Sequence, residues 1–497
     1  MVGDSTDSDG AQGDETVVRR DRFSGGPARE FLSSLAGDER IFEADLAVDR
    51  AHVVMLAEQA IIDDDEAGEI LDALADVESA GHDALGGGED VHEAIESAVI
   101  DRVGPDGGKM HTARSRNDEV AACIRYRLRA DLLEAVETTL GLREALIEAA
   151  AEHTDTLMPG YTHLQPAQPI TVGHYLMSYA STISRDTARL LDAYDRTNES
   201  PLGGAAFAGT PFDIDRERTA ALLGFDGVVA NSMDASSARD FLAESTAALA
   251  THATTLSGLA EDVIIFANKG YVDLSDDYSS TSSIMPQKKN PDTLELTRAV
   301  AGDAIGELTG LLSTLKGLPR AYNRDLQRAH PHTFRAVDAV VEASAVAAGA
   351  VSTATWNESL LADEAGAGFS TATGIADLLA MAGLPFRTAH EVVALAAEEA
   401  EDADTEVSAT LLDSATEDVL GESLFEYVDE SAVDDALDPA RSVDSRDSQG
   451  GPAAAAVQST ITGARETLAA DSDALADRRA ALDEAGTALQ EAVDEYV

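Results

Sequence analysis

The stretch that decides the fold is residues 119–153, EVAACIRYRLRADLLEAVETTLGLREALIEAAAEH. Apolar side chains recur in it every four residues, at Ile124, Leu128, Leu132, Val136 and Leu140. This spacing places them on one face of a helix. A helix near ~30 residues is longer than is usual in globular proteins. The stretch therefore predicts a bundle of long helices, completed by other subunits.

Four further segments carry the same helical periodicity. They cover residues 168–196, 239–268, 291 to just before 317, and 331–355. Alternating runs of β-branched residues are scarce, which argues against an α/β sheet. The sequence thus predicts an all-α protein with a central bundle of long helices.

The remaining sequence divides into flanking units. The predicted divisions are a disordered acidic leader (1–20), an N-terminal helical domain (21–111), the central bundle (112–362), a C-terminal helical domain (363–465) and an acidic C-terminal helix (466–497).

The charge balance is extreme, with 92 acidic against 35 basic residues and a net charge of −57. Such a surface repels nucleic acid and anionic membranes, and its self-repulsion is screened in concentrated salt. We therefore expect a halophilic source. The single cysteine, Cys123, cannot form an intrachain disulfide. The first residues lack a signal peptide's basic and apolar regions, so we expect a cytoplasmic protein.

Two connectors between the helices have unusual polar content. Residues 111–118, HTARSRND, end where a long helix starts. Each of their arginines could bind a carboxylate through two parallel hydrogen bonds. A helix cap with a surface ion pair is the alternative interpretation. Residues 158–169, MPGYTHLQPAQP, form a rigid segment around His163, which could exchange protons at neutral pH. A structural histidine remains the alternative.

Two more connectors follow. Residues 279–291, SSTSSIMPQKKNP, join hydroxyl residues to two of the chain's five lysines at a helix start, where a serine can be activated. A solvated linker is the alternative. In 316–327, KGLPRAYNRDLQ, Tyr322 and Gln327 could contact a polar ligand. The scattered histidines match no metal motif, so we expect no metal site.

These segments together resemble the fumarase/aspartase superfamily and, within it, the argininosuccinate lyases. The resemblance spans about residues 20–465 in the right order. The motifs that carry it are SSIMPQKKN (282–290), HTARSRND (111–118), MPGYTHLQPAQPI (158–170), SPLGGAAFAGTPF (200–212), NSMDASSARDF (231–241), KGLPRAYNRDLQ (316–327) and SRDSQGG (445–451).

The resemblance implies that argininosuccinate is split into L-arginine and fumarate by elimination, the last step of arginine biosynthesis. Ser282 would be the general base, while Lys288 and Asn290 would stabilise the negative charge that develops on a carboxylate. His163 would act as the partner acid or would orient the leaving group. Glu295 would pair with His163 and fix its tautomer.

The resemblance also implies a set of substrate-binding residues. These are Ser24, Asp90, His92, Arg116, Asn117, Thr162, Asn290, Tyr322 and Gln327. Asp90 and His92 could equally form a polar helix start. The core segments would meet from three subunits of a homotetramer, and no cofactor is implied.

Three positions depart from the family pattern. Residues 20–24, RDRFS, replace a Trp-Gly-Gly-Arg-Phe opening, Thr281 replaces a glycine that usually precedes the serine pair, and His330 replaces a lysine. The rival interpretations are adenylosuccinate lyase or fumarase, a non-catalytic crystallin-like protein, and an acidic helical scaffold. The paired lysines speak against the first, and the retained Ser282, Lys288 and His163 speak against the second.

Overall fold

The computed structural model describes residues 28–497. The predicted leader (1–20) and Ser24 lie outside this range. The N-terminal unit contains helices α1 (Arg29–Leu32), α2 (Phe42–Glu58), α3 (Asp64–Ala80) and α4 (Val91–Val103). Short 3-10 helices lie between and after them, at Leu35–Gly37, Glu39–Ile41, His82–Ala84 and Pro105–His111.

Local capping explains where the N-terminal helices begin. Asp63 accepts a hydrogen bond from the backbone N–H of Glu66 at 2.9 Å, and the Glu66 side chain accepts one from Asp63 N–H in return. Asp90 caps α4 by accepting from Glu93 N–H at 2.9 Å. Each cap satisfies helix N–H groups that have no intrahelical partner.

The middle of the chain forms the bundle. Its helices are α5 (Arg116–Glu152), α6 (Val172–Thr197), α7 (Arg216–Leu222), α8 (Ser232–Ser237), α9 (Asp240–Lys269), α10 (Asp292–Leu315) and α11 (His330–Ser352). A 3-10 helix at Arg324–Arg328 precedes α11. Helix α5 packs against α6 and α11, while α9 packs against α6, α10 and α11. The predicted all-α fold with a long-helix bundle is confirmed.

Strands are short and occur in pairs. They are β1 (Leu157–Thr162), β2 (Gln165–Thr171), β3 (Glu199–Ser200), β4 (Gly227–Val228), β5 (Val272–Asp273), β6 (Ser280–Thr281), β7 (Lys289–Asn290) and β8 (Thr355–Trp356). β1 pairs antiparallel with β2, β5 with β8 and β6 with β7, whereas β3 and β4 are parallel.

One predicted helix start was wrong. Helix α6 begins at Val172 instead of residue 168, because residues 165–171 form the second strand of the β1–β2 hairpin. Pro166 and Pro169 lack a backbone N–H and restrict the residue before each of them to extended geometry. Thr171 then caps α6 by accepting from His174 N–H at 3.1 Å.

The C-terminal unit has a core of its own. It comprises α12 (Glu358–Ala365), an Ala367–Phe369 3-10 helix, α13 (Ala372–Met381), α14 (Phe386–Asp402), α15 (Ala409–Leu420), a Leu424–Glu426 3-10 helix, α16 (Glu430–Leu437) and α17 (Pro439–Asp444). Its buried core includes Ile375, Leu379, Val392, Leu412, Leu424 and Val433.

The last helix, α18 (Ala454–Asp494), returns along the bundle and packs against α5 and α6. The predicted boundary at 465/466 therefore falls inside one continuous helix, and the boundary at 362/363 falls inside α12. Arg143 on α5 anchors α18 because its guanidinium pairs with Asp471 and donates to Thr467. Within residues 28–497, no helix is long and apolar enough to cross a membrane.

Candidate active site

A cavity of about 280 Å³ opens between the N-terminal helices, the start of α5 and the segment that leads into α11. Six of the predicted binding residues line it: Asp90, His92, Arg116, Asn117, Tyr322 and Gln327. These side chains come from three segments far apart in sequence. The fold therefore brings together, in one chain, most of the side chains expected to bind substrate.

Asp90 and Arg116 form a fixed pair on the cavity wall. Arg116 Nη1 lies 3.0 Å from Oδ2 of Asp90, and Ser115 caps α5 by accepting from Asn117 N–H at 3.3 Å. Burial works to raise the pKa of Asp90, but the charges of His92 and Arg116 outweigh it and lower that pKa. Asp90 is therefore ionised and already paired.

His92 is a buried cation in the same wall. Its Nδ1 lies 2.8 Å from Oδ2 of Asp45 and 3.8 Å from Oε1 of Glu119. Burial by itself lowers the pKa of His92, but the Asp45 carboxylate, helped by Glu119, raises it to about 10. The imidazole is thus charged at neutral pH.

A second buried ion-pair group contacts His92 through Glu119. Arg114 contacts Oδ1 of Asp49 and lies 3.0 Å from Oε1 of Glu119. Burial raises the pKa of Asp49 to about 7 and that of Glu119 well above its ordinary value. Asp45, Asp49 and Glu119 place oxygens within 4.8 Å of one another, as metal ligands would. Arg114 and His92 already form ion pairs with these carboxylates, so we assign the group to positioning His92.

His330, where the family usually has lysine, also lines the cavity. It is buried, and its Nδ1 has no hydrogen-bond partner among residues 28–497. Burial lowers the pKa of His330 to about 3, with the charges of Arg239 and His92 acting in the same direction. The ring is therefore neutral and supplies no positive charge.

The segment with the predicted base lies away from this cavity. Ser282 and Lys288 belong to the loop between β6 and β7, and Asn290 ends β7. Ser282 Oγ accepts from the N–H groups of Ile284 at 3.3 Å and Met285 at 3.1 Å. None of the three predicted residues lines the cavity of the same chain.

The two neighbouring lysines have different surroundings. Lys289 Nζ lies 3.2 Å from Asp273 and 3.0 Å from Asp276, so both carboxylates hold it. Lys288 is exposed and forms no ion pair with the described part of the chain. Thr281 pairs with Lys289 in the β6–β7 ladder and has no positive φ, so its side chain fits where the family has glycine.

Thr162 and His163 lie at the tip of the β1–β2 hairpin, both exposed. His163 and Leu164 have φ values of 56° and 59°, as a tight two-residue turn requires. Glu295 is exposed in the first turn of α10. Within residues 28–497, no ion pair or hydrogen bond joins His163 to Glu295, so a single chain does not form the predicted pair.

Comparison with known proteins decides the family. The family described as Lyase matches residues 33–306, and that described as Argininosuccinate lyase C-terminal matches residues 369–444. The argininosuccinate lyase of Haloarcula marismortui is 67% identical over 484 residues, which cover 97% of each protein. The chain belongs to the argininosuccinate lyase family. The lyase of Halobacterium salinarum is 66% identical and covers 93% of this chain and 95% of its own. Both come from halophilic archaea, as the acidic composition predicts.

Solved structures place the fold in the same group as this lyase family. The crystal structure of EDDS lyase in complex with formate is 35% identical and superposes with a TM-score of 0.87 over 95% of this chain and 96% of that one. The fumarate lyase from Mesorhizobium is 22% identical, with a TM-score of 0.70 over 88% of this chain and 97% of its own. At that identity the likeness concerns the fold alone.

Four charged residues of the cavity were missed by the sequence analysis: Asp38, Glu89, Arg239 and Arg324. Arg239 and Arg324 lie inside words that the argininosuccinate lyase resemblance had already marked, 231–241 and 316–327. Their place inside these segments was the signal that could have identified both arginines as site residues. Asp38 carried none, because it lies between two short 3-10 helices, Leu35–Gly37 and Glu39–Ile41, outside every segment that carries the resemblance.

Proposed function

We propose that the protein splits argininosuccinate into L-arginine and fumarate. The observation that carries this proposal is the near full-length similarity to relatives named argininosuccinate lyase, at 67% and 66% identity. The cavity supports it, because six residues predicted to bind this substrate line it.

The reaction is an elimination. A base takes a proton from the carbon next to a carboxylate, the electron pair forms the new double bond, and the bond to the guanidine nitrogen breaks. The proton is weakly acidic, so catalysis requires stabilising the negative charge that accumulates on the neighbouring carboxylate. Proton delivery to the departing nitrogen completes the reaction and releases arginine.

Ser282 is the proposed base, and Lys288 and Asn290 the proposed stabilisers of negative charge. Lys288 is suited to this role because no carboxylate of the described chain neutralises it. The segment runs directly into α10, whose N-terminal end favours negative charge. Ser282 needs a lowered pKa, so closure of the loop over the substrate and exclusion of water are part of the proposal.

His163 is the proposed partner acid, with Thr162 beside it for substrate binding and Glu295 as the group that fixes its tautomer. All three side chains are exposed in the single chain. An exposed histidine at a tight turn can be presented to a neighbouring subunit. Glu295 would then reach His163 across the subunit interface.

We further propose a homotetramer with active sites shared between subunits. On α10, Leu296, Ile305 and Leu312 are 70%, 49% and 50% exposed. Residues 343–357 of the bundle contain no Asp, Glu, Lys or Arg, in a chain that is 26% charged. Exposed apolar side chains in so acidic a protein favour burial against other copies.

The activity test is direct. Purified protein is mixed with argininosuccinate in molar salt, and fumarate absorbance is followed. We expect fumarate from the wild type and from Ser283→Ala, and almost none from Ser282→Ala. If folded wild type forms no fumarate, the proposed function is wrong, and adenylosuccinate is the next substrate to assay.

Site sharing has its own test. Ser282→Ala and Asn117→Ala alter segments that a single chain keeps apart. When the two inactive variants are dissociated, mixed and reassembled, some shared sites contain neither substitution. Activity that rises on mixing supports shared sites, and a mixture as inactive as its components contradicts them.

A further inference from the structure

The β1–β2 hairpin ends in a run of exposed residues, Thr162 to Pro166, with His163 in its turn. A two-stranded hairpin is only marginally stable by itself, so its tip keeps a fixed direction only where other elements hold it. Tyr161, just before this run, is the last residue of β1 that is partly buried. The contacts of Tyr161 therefore set the direction of the tip.

A second tyrosine holds the side chain of Tyr161. The hydroxyl of Tyr161 lies 2.8 Å from the hydroxyl of Tyr271, which is 110 positions away in sequence. The Tyr271 hydroxyl donates to Oε2 of Glu364 on α12 at 3.4 Å, so Tyr161 is the donor in the shorter hydrogen bond. The two hydrogen bonds join the hairpin to the segment after α9 and to α12.

Tyr271 is itself firmly placed. It is 2% exposed and directly follows Gly270, which ends α9. Its backbone N–H donates to the carbonyl of Phe266 at 2.9 Å, and its carbonyl accepts from Asn357 N–H at 2.9 Å. Both polar groups of its backbone are thus used, and the side chain projects from a fixed point.

Ring packing surrounds the hydroxyl pair. The Phe266 ring lies 6.5 Å from that of Tyr161 and 6.2 Å from that of Tyr271, between centroids. The ammonium group of Lys269 lies 5.1 Å and 5.6 Å from the same two tyrosine rings. These contacts are attractive, but phenylalanine at either position would keep them. The hydrogen bond between the hydroxyl groups is the contact that requires tyrosine.

We propose that Tyr271 is a positioning residue: through its hydrogen bond to Tyr161, it fixes the direction in which the hairpin presents His163 to the departing nitrogen. This assignment rests on the proposed function and deepens it. A general acid contributes only where its proton can reach the leaving group. A misdirected His163 should therefore lower the rate of the chemical step more than it weakens substrate binding.

The first test removes the hydroxyl and keeps the ring. Tyr271→Phe should lower kcat for fumarate formation roughly 10-fold and change KM by less than about 3-fold, since the contribution of His163 belongs to the transition state. Tyr179→Phe is the matched control, because its hydroxyl is also partly buried and donates to Asp262 at 2.7 Å instead of to the hairpin. The control should keep the wild-type kcat.

A double-variant cycle tests whether the two hydroxyl groups act as one contact. Tyr161→Phe should lower kcat about as much as Tyr271→Phe, and the double variant should be no slower than either, because all three lose the same hydrogen bond. If the two losses multiply, the hydroxyl groups act independently and the assignment is wrong. Tyr161→Phe against the wild type decides the question if Tyr271→Phe fails to fold.

The last test asks whether the effect passes through His163. In a His163→Asn background, Tyr271→Phe should lower kcat by less than about 2-fold, because the group that it positions is already absent. A loss as large as in the wild type would show a general structural role and overturn the assignment. If the wild type cleaves argininosuccinate and Tyr271→Phe matches Tyr179→Phe, only this assignment falls. Without cleavage by the wild type, the proposed function falls, and this assignment falls with it.

Discussion

The Nδ1 atom of His92 lies 2.8 Å from Oδ2 of Asp45, and both side chains are buried, although only His92 lines the cavity. Asp45 comes from α2 and His92 from α4, so the ion pair joins two helices of the N-terminal unit. It also fixes a positive charge beside the Asp90–Arg116 pair. Asp45 does not line the cavity, and its effect on a substrate would pass through His92.

Removing Asp45 should destabilise the protein in a pH-dependent way. The pKa of His92 is raised to about 10, so the pair's contribution to folding is complete below the ordinary histidine pKa and is lost as pH rises towards 10. Asp45→Asn should cost about 3–5 kcal/mol near neutral pH, as breaking a buried pair does. Denaturant unfolding at pH 7 and pH 10 measures the difference. The difference in unfolding free energy between Asp45→Asn and the wild type should be smaller at pH 10 than at pH 7. A difference that is the same at both pH values would contradict the assigned ion pair.

His330 should make the protein sensitive to acid. Its pKa of about 3 in the fold lies below the ordinary value of 6.5, so the unfolded chain binds the extra proton first. The contribution of neutral His330 to stability is thus complete above pH 6.5, and it is lost as the pH falls from 6.5 towards 3. His330→Gln should retain helical circular dichroism to lower pH than the wild type. His390→Gln, an exposed control on α14, should unfold with the wild type, and equal curves for all three would sink the idea.

Local sequence signals predicted the helices well, and they failed where a tertiary pairing decided the structure. Gly270, with φ 78°, follows the predicted helix 239–268 and ends α9, because a residue without Cβ adopts this geometry easily. Residues 165–171 carried prolines that disfavour a helix. The strand they form, however, depends on pairing with β1, which no local pattern of that segment indicates.

The site was predictable only in part, for the same physical reason. Asn117 and Tyr322 lie in recognisable words, so their place in a site could be predicted from sequence. What marks Asp38 and Arg239 is burial without an ion-pair partner, a property that exists only after the helices have packed. The position of His163 relative to Ser282 stays a prediction, because it depends on contacts between subunits.

Lys288 and Lys289 should respond differently to substitution. Lys288→Met should lower kcat by more than ~100-fold, since it removes a charge proposed to stabilise the transition state. Lys289→Met should act mainly on the loop, because Asp273 and Asp276 already hold that ammonium group, and exposed pairs contribute at most ~1 kcal/mol. Steady-state assays and thermal melts separate the two effects. Equal losses of kcat in the two variants would contradict the proposal that Lys288, and not Lys289, stabilises the transition state.

Lowering the salt concentration should unfold or dissociate the protein, because a net charge of −57 then repels itself over longer distances. The Debye length rises from about 3 Å at 1 M to about 10 Å at 0.1 M. Melting temperature, subunit mass by light scattering and fumarate formation are followed as NaCl is lowered. KCl at equal ionic strength should restore all three, and sucrose at equal osmolality should restore little. Full rescue by sucrose would instead mean that exclusion of solute from the protein surface, and not charge screening, stabilises this acidic chain.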